Sequence, residues 1–564
     1  MNSCLPISLA IALSASSACA SAPHAFTVHD MLAMQRISQP QISPDGKRVV
    51  FTVRTTDLEE NRGRTSLWLV QTDGGGLRRL TAAQANDHEP RWAPDGVTVF
   101  FLSTRSGTSQ VWRISADGGE AEQVTSLQLD VTSLLLSRDG RRMALTMEVF
   151  PDAGGVDGTK QRLAEAAKRK ATGRVHDRVF VRHWDTWKDG RRSHLFVMPA
   201  TGPGGPVDVM PNMDADTPSQ PFGGAQEFTF TPDGSALVFT ARDAGRGEPW
   251  STDFDLYRVP IDASRPPRCL TERNQAWDCQ PTFSPDGKTL AYLAMARPGY
   301  EADRCRIVLR QWPDGEERVL TEAWDRSPSE ICWSADGKSV WAVAHNQGQH
   351  ALFAVDVATG LARVVVSAGD VQSPTVSGAG IVYGLSSLKS PTELWWAQAN
   401  GSGPHQLTTL NAEKVAAART GDFEQFSFRG YNQETVFAYV VKPVDFDPAR
   451  KYPLALLIHG GPQGSFGNQF HYRWNPQAYA GAGYAALMID FHGSVGYGQA
   501  FRLDSRRLGR EAARGPPARA GGGYRTLPLD RRGPGCRVGC LLRRIHDQLD
   551  CGAMARTLSV SGQS

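Results

Sequence analysis

The sequence predicts an all-β propeller of seven blades, followed by the beginning of an α/β domain. Three observations predict this fold. A hairpin centred on Pro-Asp-Gly recurs between residues 40 and 410, a short apolar strand follows each hairpin, and the repeat gives way to a different pattern near Gly421. With 564 residues the chain is too long for a single hydrophobic core, so two or more domains are expected.

The first repeated motif is a strand, a tight turn and a second strand. Asp-Gly supplies the local hydrogen bonding and the positive φ that a tight reversal needs, and alternating β-branched and aromatic residues follow it. The copies are ISPDGKRVVFTV (42–53), WAPDGVTVFFLS (92–103), LSRDGRRMALTM (136–147), FTPDGSALVFTA (230–241), FSPDGKTLAYLA (283–294) and WSADGKSVWAVA (333–344).

The second motif is a short apolar strand that follows each hairpin, and in several copies a further strand then ends on Leu-Thr or Val-Thr. The apolar strands are LWLV (67–70), VWRI (111–114), LFVM (195–198), LYRV (256–259), IVLR (307–310), LFAV (352–355) and LWWA (394–397). The closing residues are Thr81, Thr125, Thr271, Thr321 and Thr408. Each unit has about four strands, and no unit can bury both of its faces alone. Seven such units predict a β-propeller of seven blades, with six or eight as the alternative counts.

The interval between the second and third apolar strands is longer than the others. It contains GTKQRLAEAAKRKATG (158–173), which predicts an exposed helix, and then an aromatic and charged cluster that is a candidate lining of a substrate channel: Arg182, His183, Trp184, Asp185 and Trp187. The alternative is an ordinary insertion whose tryptophans pack on a blade. Tryptophans within the repeated strands, such as Trp68, Trp112 and Trp395, are predicted to belong to the core.

The pattern after Gly421 predicts an α/β sheet. A continuous apolar strand, Leu454–Ile458, is followed by His459-Gly460-Gly461-Pro462, then by a predicted helix around Trp474–Ala482 and a strand Tyr484–Ile489. Two glycines at the carboxyl end of such a strand allow backbone N–H groups to approach a ligand, as in an oxyanion hole. His-Gly-Gly also occurs as a plain turn. On this evidence alone, His459, Gly460 and Gly461 are therefore candidate residues of an oxyanion hole.

The ordered set of propeller, strand with His-Gly-Gly-Pro, and strand with Gly-Ser-x-Gly-Tyr-Gly (493–498) resembles the prolyl oligopeptidase family of serine peptidases. The resemblance covers about residues 26–505 and is nearest to the secreted dipeptidyl-peptidase and acylaminoacyl-peptidase branch. It implies an α/β-hydrolase domain capped by the propeller, short peptides as substrates, and a nucleophile in G-x-S-x-G-G followed by Asp and His. His492 stands where the family usually has Arg.

The sequence contains no G-x-S-x-G, and Ser465 and Ser494 have the wrong spacing, so both are interpreted as loop hydroxyls. Residues 506–564 hold twelve Arg, no Lys and four acids. Read one nucleotide later, their codons permit a strand, a nucleophile elbow and a helix in the family's order. We therefore expect a frameshift between about Ala500 and Arg507. The truncated hydrolase domain then lacks the Ser-Asp-His triad, is inactive, and leaves Leu454–Ile458 and Tyr484–Ile489 with an uncovered apolar edge.

The resulting division of the chain is a signal peptide (1–20), the propeller (26–415), the truncated hydrolase domain (416–505) and an out-of-frame tail (506–564) expected to be disordered. The apolar N-terminus ending Ala18-Cys19-Ala20 predicts export, to a bacterial periplasm, and no membrane span. Neither a metal nor an organic cofactor is implied. The net charge of +3 arises from the basic tail, so nucleic-acid binding is not favoured.

The cysteines of the propeller leave two alternatives open. Cys269, Cys279, Cys305 and Cys332 form one or two disulfides in an oxidising compartment, or remain buried thiols. The functional alternative to a peptidase is a non-catalytic periplasmic propeller that binds a protein partner, like the propeller of TolB with its similar Ser-Pro-Asp-Gly turns. The sequence decides neither the oligomeric state nor the cleavage preference.

Overall fold

The structure is a computed structural model that describes residues 22–378, 380–429, 435–461 and 463–502. The predicted signal peptide, the tail 506–564 and the frame junction beyond Arg502 lie outside the described residues. Among the residues described, no helix is both long and apolar enough to cross a membrane.

The chain from Arg36 to Gln406 folds into four-stranded antiparallel sheets, which are the blades of a β-propeller. The first two blades contain β2 (Arg36–Ile42), β3 (Arg48–Asp57), β4 (Arg62–Gln71), β5 (Arg78–Arg79), β6 (Asp87–Trp92), β7 (Thr98–Ser103), β8 (Gln110–Ser115) and β9 (Glu122–Gln123). The next two contain β10 (Ser133–Leu136), β11 (Arg142–Val149), β14 (Arg192–Pro199), β15 (Val207–Asp208), β16 (Phe228–Phe230), β17 (Ala236–Ala241), β18 (Asp255–Pro260) and β19 (Arg268–Cys269).

The remaining propeller strands form one more separate sheet and an eight-stranded sheet. They are β20 (Asp278–Phe283), β21 (Thr289–Ala294), β22 (Arg306–Gln311), β23 (Glu317–Val319), β24 (Pro328–Trp333), β25 (Ser339–Asn346), β26 (Gln349–Asp356), β27 (Ala362–Val366), β28 (Asp370–Ser377), β29 (Gly380–Ser387), β30 (Ser390–Gln398) and β31 (His405–Gln406). The eight-stranded sheet consists of two four-strand groups, β24–β27 and β28–β31, joined by one parallel bridge between His350 and Asp370.

The rest of the described chain forms the second domain, the insertion and short helices. The strands are β1 (His24–Ala25), β12 (Arg182–His183), β13 (Thr186–Trp187), β32 (Ala418–Arg419), β33 (Phe423–Arg429), β34 (Thr435–Val441), β35 (Leu454–Leu457) and β36 (Ala485–Asp490). The helices are α1 (Val28–Ala33), α2 (Val156–Ala167), α3 (Ala412–Ala417) and α4 (Pro476–Gly481), with 3-10 turns at Ala225–Glu227, Gly245–Trp250 and Gln499–Phe501.

The predicted Asp-Gly turns join the first and second strands of their blades. In the first blade, Ser43 Oγ donates to Asp45 Oδ1 at 2.6 Å and accepts from the Arg48 N–H at 2.9 Å, while Gly46 takes a φ of 73°. Ser284 and Asp286 repeat these contacts in the blade of β20–β23. The turn is therefore held by its own side chains, and the sequence predicts it because all its determinants are local.

The threonines that end several blades have a structural role in the ladder. Thr125 Oγ1 accepts the Val111 N–H at 2.9 Å, and Thr321 Oγ1 accepts the Ile307 N–H at 2.8 Å. Thr81, Thr271 and Thr408 make the same contact to the third strand of their own blades. Each hydroxyl satisfies a buried donor where the short fourth strand has ended, which explains why the motif closes on Thr.

The first strand of each blade lies innermost, since first strands of neighbouring blades contact one another. Most of the inner strands carry a one-residue bulge, and at Gln39, Glu89, Gln280 and Ser373 the residue before a proline has a φ near 50°. In the blade of β24–β27 the bulged residue is Ser329. Bulges redirect side chains locally and recur near functional sites.

The hydrophobic core lies between adjacent blades. One cluster joins Ile37 and Val49 of the first blade to Val382 and Leu394 of the last strands, so the two ends of the propeller pack against each other. The tryptophans predicted for the core, Trp68, Trp112 and Trp395, are partly buried at the edges of such clusters.

The four propeller cysteines are free thiols, so of the two alternatives the structure shows unpaired residues. Cys279 is buried and the other three are partly buried. Burial raises the pKa of the Cys305 thiol to about 11 and that of Cys332 to about 12. Thiols in such surroundings are mostly protonated at neutral pH and react slowly.

The second domain is a four-stranded sheet in the order β33-β34-β36-β35, in which β35 and β36 are parallel. The predicted strand Leu454–Ile458 is observed as Leu454–Leu457, and Tyr484–Ile489 as Ala485–Asp490. Of the two strands expected to have an uncovered edge, only β35 lacks a second neighbour among the described strands. The expectation for β36 is wrong, because β34 pairs with its other side.

Residues 24–34 pack on the second domain, and the first propeller strand starts at Arg36. β1 pairs in parallel with β32 at His24 and Ala418, and Phe26 and Met34 share a core cluster with Phe470. The chain therefore enters and leaves the propeller at the same place.

The second domain rests on the propeller face that carries the connections between second and third strands. In the blade of β24–β27 that connection contributes the Gln347 N–H to the Gly496 carbonyl at 3.0 Å, and its Gly348 carbonyl accepts the Asn468 N–H at 2.8 Å. Asp325 Oδ1 accepts the Gln499 N–H at 2.8 Å. Sites on this face therefore lie next to the second domain.

Candidate active site

The predicted oxyanion loop follows β35 directly. Gly461 has a φ of 136°, and a Cβ there would come within 2.3 Å of the Gln463 nitrogen, so this position requires glycine. A Cβ added to Gly460 would meet open space. The loop therefore leaves open space beside Gly460, which an oxyanion site at this position needs. Pro462 lies outside the described residues.

His459 is packed into the second domain. Its ring stacks on Phe491 with centroids 4.4 Å apart and meets the edge of Phe466. Nδ1 lies 2.8 Å from the Gly460 carbonyl oxygen, and Nε2 lies 2.9 Å from Ser494 Oγ. The histidine therefore holds the loop in place, and both of its ring nitrogens have partners.

Asp490 is a buried acceptor at the carboxyl end of β36. Ser465 Oγ and Tyr497 OH both donate to Oδ2 at 2.6 Å, and the Phe466 N–H donates to Oδ1 at 3.3 Å. Burial raises the pKa of Asp490, and these donors oppose that shift. The interpretation of Ser465 as a loop hydroxyl agrees with this contact, since its proton is directed to the carboxylate.

Ser494, His459 and Asp490 include the residue types of a catalytic triad, but they are not connected as one. In a triad the acid faces Nδ1 and the nucleophile faces Nε2. Here Asp490 Oδ1 lies 3.7 Å from Nε2, the same nitrogen that faces Ser494, and Nδ1 faces a carbonyl. Ser494 is also 0% exposed. The cluster positions the loop and presents no nucleophile to a substrate.

The candidate channel residues Arg182, His183, Trp184, Asp185 and Trp187 form a small hairpin, β12 with β13, inserted between the second and third strands of its blade. This connection lies on the propeller face that carries the second domain. Trp184 is 70% exposed and contacts Phe222, which is 75% exposed. Trp184 is therefore not packed into a blade, as the alternative interpretation would require.

The structure adds a buried ion network beneath this hairpin that sequence reasoning missed. Arg192 donates to Glu248 at 2.7 Å, to Asp214 at 2.9 Å and to Asp216 at 2.8 Å. The Arg192 guanidinium lowers the pKa of Glu248 to about 2, against the opposing effect of burial. No sequence motif marks these residues, because they come from three separate segments of two blades.

Comparisons with known proteins agree with this architecture. A family model described as the TolB beta propeller domain, PD40, matches residues 31–163. Dipeptidyl-peptidase 5 of Porphyromonas gingivalis is 28% identical over 474 residues, which are 83% of this chain and 68% of that protein. Dipeptidyl-peptidase 5 of Trichophyton schoenleinii is 30% identical over 519 residues, 86% of this chain and 70% of that protein.

The structure of the acylaminoacyl peptidase of Pyrococcus horikoshii superposes with a TM-score of 0.66 at 17% identity, covering 85% of this chain and 68% of that chain. A propeller joined to an α/β sheet with a His-Gly-Gly loop defines a propeller-bearing protein of the α/β-hydrolase type. The sequence matches also assign the family, since a relative that is 30% identical is covered over 70% of its length. The chain belongs to the prolyl oligopeptidase family of peptidases. The relatives span both domains, which does not favour an independent binding module.

Proposed function

We propose that the protein is by descent an exported serine peptidase that hydrolyses short peptides, of the dipeptidyl- or acylaminoacyl-peptidase type. We also propose that the 564-residue chain does not carry out this hydrolysis itself. The relatives named dipeptidyl-peptidase 5 support the first part. The absence of any G-x-S-x-G in the sequence supports the second.

The observation that carries the proposal is the arrangement around His459. The oxyanion loop has its glycine geometry, yet the serine beside it is buried and the nearby aspartate faces the wrong ring nitrogen. An oxyanion site without a nucleophile and base loses several orders of magnitude in rate, about 10⁴ to 10⁶. A nucleophile elbow encoded in the shifted frame after Ala500 accounts for both the retained loop and the missing serine.

The test compares two products of the same gene. One is the 564-residue chain, and the other is the product obtained when the frame is restored between codons 500 and 507. We expect the restored protein to release naphthylamine from dipeptidyl- or acylaminoacyl-naphthylamides, with inhibition by a fluorophosphonate, and the 564-residue chain to release none. Turnover beyond one equivalent per chain by the 564-residue product would refute the proposed inactivity. A nucleotide sequence without a frame change would refute the frameshift that we propose as the origin of this inactivity.

The propeller supplies two finer parts of the proposal. We count seven blades, taking the two halves of the eight-stranded sheet as separate blades, and the packing of Ile37 against Val382 supports a closed ring. We assign the 182–187 hairpin to the substrate path, since it exposes aromatic side chains on the face that carries the second domain. In the restored enzyme, Trp184→Ala should raise KM more than it lowers kcat. Leu361→Ala serves as the control, because Leu361 is about equally exposed but lies on a connection between third and fourth strands, on the opposite face of the propeller.

Export rests on the N-terminal sequence alone. Expression of the full gene in a bacterium with a periplasm should give a mature protein that begins just after Ala20. N-terminal sequencing of the periplasmic fraction is the measurement, and an intact Met1 in the cytoplasmic fraction would contradict export.

A further inference from the structure

A serine, a histidine and an aspartate form a hydrogen-bonded chain inside the propeller, away from the His-Gly-Gly loop. Ser329 lies at the bulge of the inner strand β24 and is exposed, while the flanking Pro328 is buried. Its Oγ lies 3.0 Å from His350 Nε2, and His350 Nδ1 lies 3.0 Å from Asp370 Oδ1. This is the order of contacts that a catalytic relay requires, and the cluster around His459 lacks it.

The partners of Asp370 fix the tautomer of His350. Gln372 Nε2 and Ser386 Oγ both donate to Asp370 Oδ2, so Oδ1 remains to accept from the imidazole. An acceptor at Oδ1 places the ring proton on Nδ1 and leaves Nε2 as a lone-pair acceptor. Ser329 Oγ then donates to Nε2. Its other acceptor, the Val343 carbonyl, lies farther away at 3.2 Å.

The surroundings hold this arrangement rigidly. The His345 ring stacks on His350 with centroids 4.4 Å apart, and burial lowers the pKa of His345 to about 3, so it adds no positive charge. Burial raises the pKa of the neighbouring Glu330. Gln280 Nε2 donates to the Ser329 carbonyl at 2.8 Å, which fixes the backbone at the bulge.

Ser329 and His350 lie on the side of the propeller that faces the second domain. The second residues of β24 and β26, Ser329 and His350, both lie near the ends of their strands that face the second domain. His345 also lines a small cavity with Gly496 and Arg502 of that domain. Since Ser329 is exposed on this side of its blade, we expect a small molecule that enters between the two domains to reach its hydroxyl.

We propose that Ser329, His350 and Asp370 form a second nucleophilic site that accepts acyl or phosphonyl groups from small activated esters and fluorides. Ser329 Oγ attacks the electrophilic carbon or phosphorus, the new O–C or O–P bond forms, and the bond to the leaving group breaks. The serine proton passes to His350 Nε2, and Asp370 stabilises the imidazolium through Nδ1–H. An alcohol leaving group takes that proton with it, whereas fluoride departs as the anion. We expect the product to be a stable adduct of one equivalent per chain.

The test is covalent labelling of the 564-residue chain with a small phosphonyl fluoride, followed by peptide mass spectrometry. We expect one adduct per chain, on Ser329, and none after prior denaturation in urea. Ser329→Ala should remove the adduct. His350→Gln should slow labelling by about 10²- to 10⁴-fold, the usual contribution of a positioned base. Asp370→Asn should slow it by about tenfold or more, because an amide N–H facing Nδ1 favours the tautomer with the proton on Nε2.

Ser373→Ala is the control, since Ser373 is a serine in the bulge of the next inner strand and no described hydrogen bond joins its hydroxyl to an imidazole. It should label at the wild-type rate. Near-UV circular dichroism confirms that each variant retains its packing. Absence of an adduct on Ser329 in the folded chain, or equal rates for wild type and folded His350→Gln, would overturn the proposal. Either result leaves the proposed peptidase ancestry unaffected, because that is tested by turnover of the restored gene product.

Discussion

Replacing Asp278 with Asn tests how the propeller handles a buried carboxyl group. Asp278 begins the inner strand β20 and is 0% exposed. Its Oδ1 accepts from Asn274 Nδ2 at 2.8 Å, and Oδ2 has no partner in the described part of the chain. Burial, with the nearby carboxylates of Asp255 and Glu317, raises the pKa of Asp278 to about 8.

The sign of the effect follows from proton linkage. The folded-state pKa lies above the unfolded value of about 3.9, so between those values the folded state holds a proton that the unfolded state has released. The free energy of unfolding therefore falls as pH rises, by about 1.4 kcal/mol per pH unit from this group. Asn does not titrate, so the stability of Asp278→Asn relative to wild type should increase by about 3 kcal/mol from pH 5 to pH 7.

Urea unfolding of the full chain, followed by tryptophan fluorescence at pH 5, 6 and 7, measures this difference. Asp286→Asn is the control. The Ser284 hydroxyl lowers the pKa of Asp286, so this carboxyl is ionised in both states over the whole range and its replacement should have a pH-independent effect. A difference between Asp278→Asn and wild type that stays flat from pH 5 to pH 7 would refute the reasoning, whatever its absolute size.

Three further predictions concern the fold. Arg192→Met should destabilise the propeller by about 3 kcal/mol in urea unfolding, because it removes the most buried cation of the network and leaves its three acidic partners with only more exposed cations; an effect below about 1 kcal/mol would contradict the role of the network. Thr125→Val should cost about 1–3 kcal/mol by leaving the buried Val111 N–H unpaired, and equal stability would show that another acceptor replaces it. Ile458→Lys should reduce aggregation in light scattering, because Ile458 is 69% exposed beside the edge of β35 that pairs with no other described strand; unchanged scattering would place the aggregating surface elsewhere.

The repeated part of the fold could be predicted from the sequence because its determinants are local. Asp45 and Gly46 define their turn through contacts within five residues, and the apolar third strands follow at a regular distance. The strand that precedes the His-Gly-Gly loop was likewise predicted to within one residue, since a parallel strand of an α/β sheet is a continuous apolar run, although only Leu457 of β35 is buried.

The functional arrangements could not be predicted because they depend on long-range pairing. Ser329, His350 and Asp370 stand on three strands in two neighbouring groups, and only the bridge between His350 and Asp370 brings the last two together. No spacing in the sequence marks that bridge. The Arg192 network has the same origin, since its carboxylates come from separate loops. The wrong expectation for the edge of β36 arose because sequence alone did not show that β34 would pair with it.

The pairing of His24 with Ala418 has a consequence for the order in which the protein is made. The first described strand, β1, pairs with β32, which is synthesised only after the entire propeller. Without a folded propeller, bringing β1 to β32 would close a loop of about 400 residues, and the entropy cost would exceed the contribution of this short pairing. The folded ring removes most of this cost, because it brings its own two ends together. The propeller therefore acts as an intramolecular template for the second domain, and Phe26 and Met34 enter their core with Phe470 only after the propeller has been synthesised.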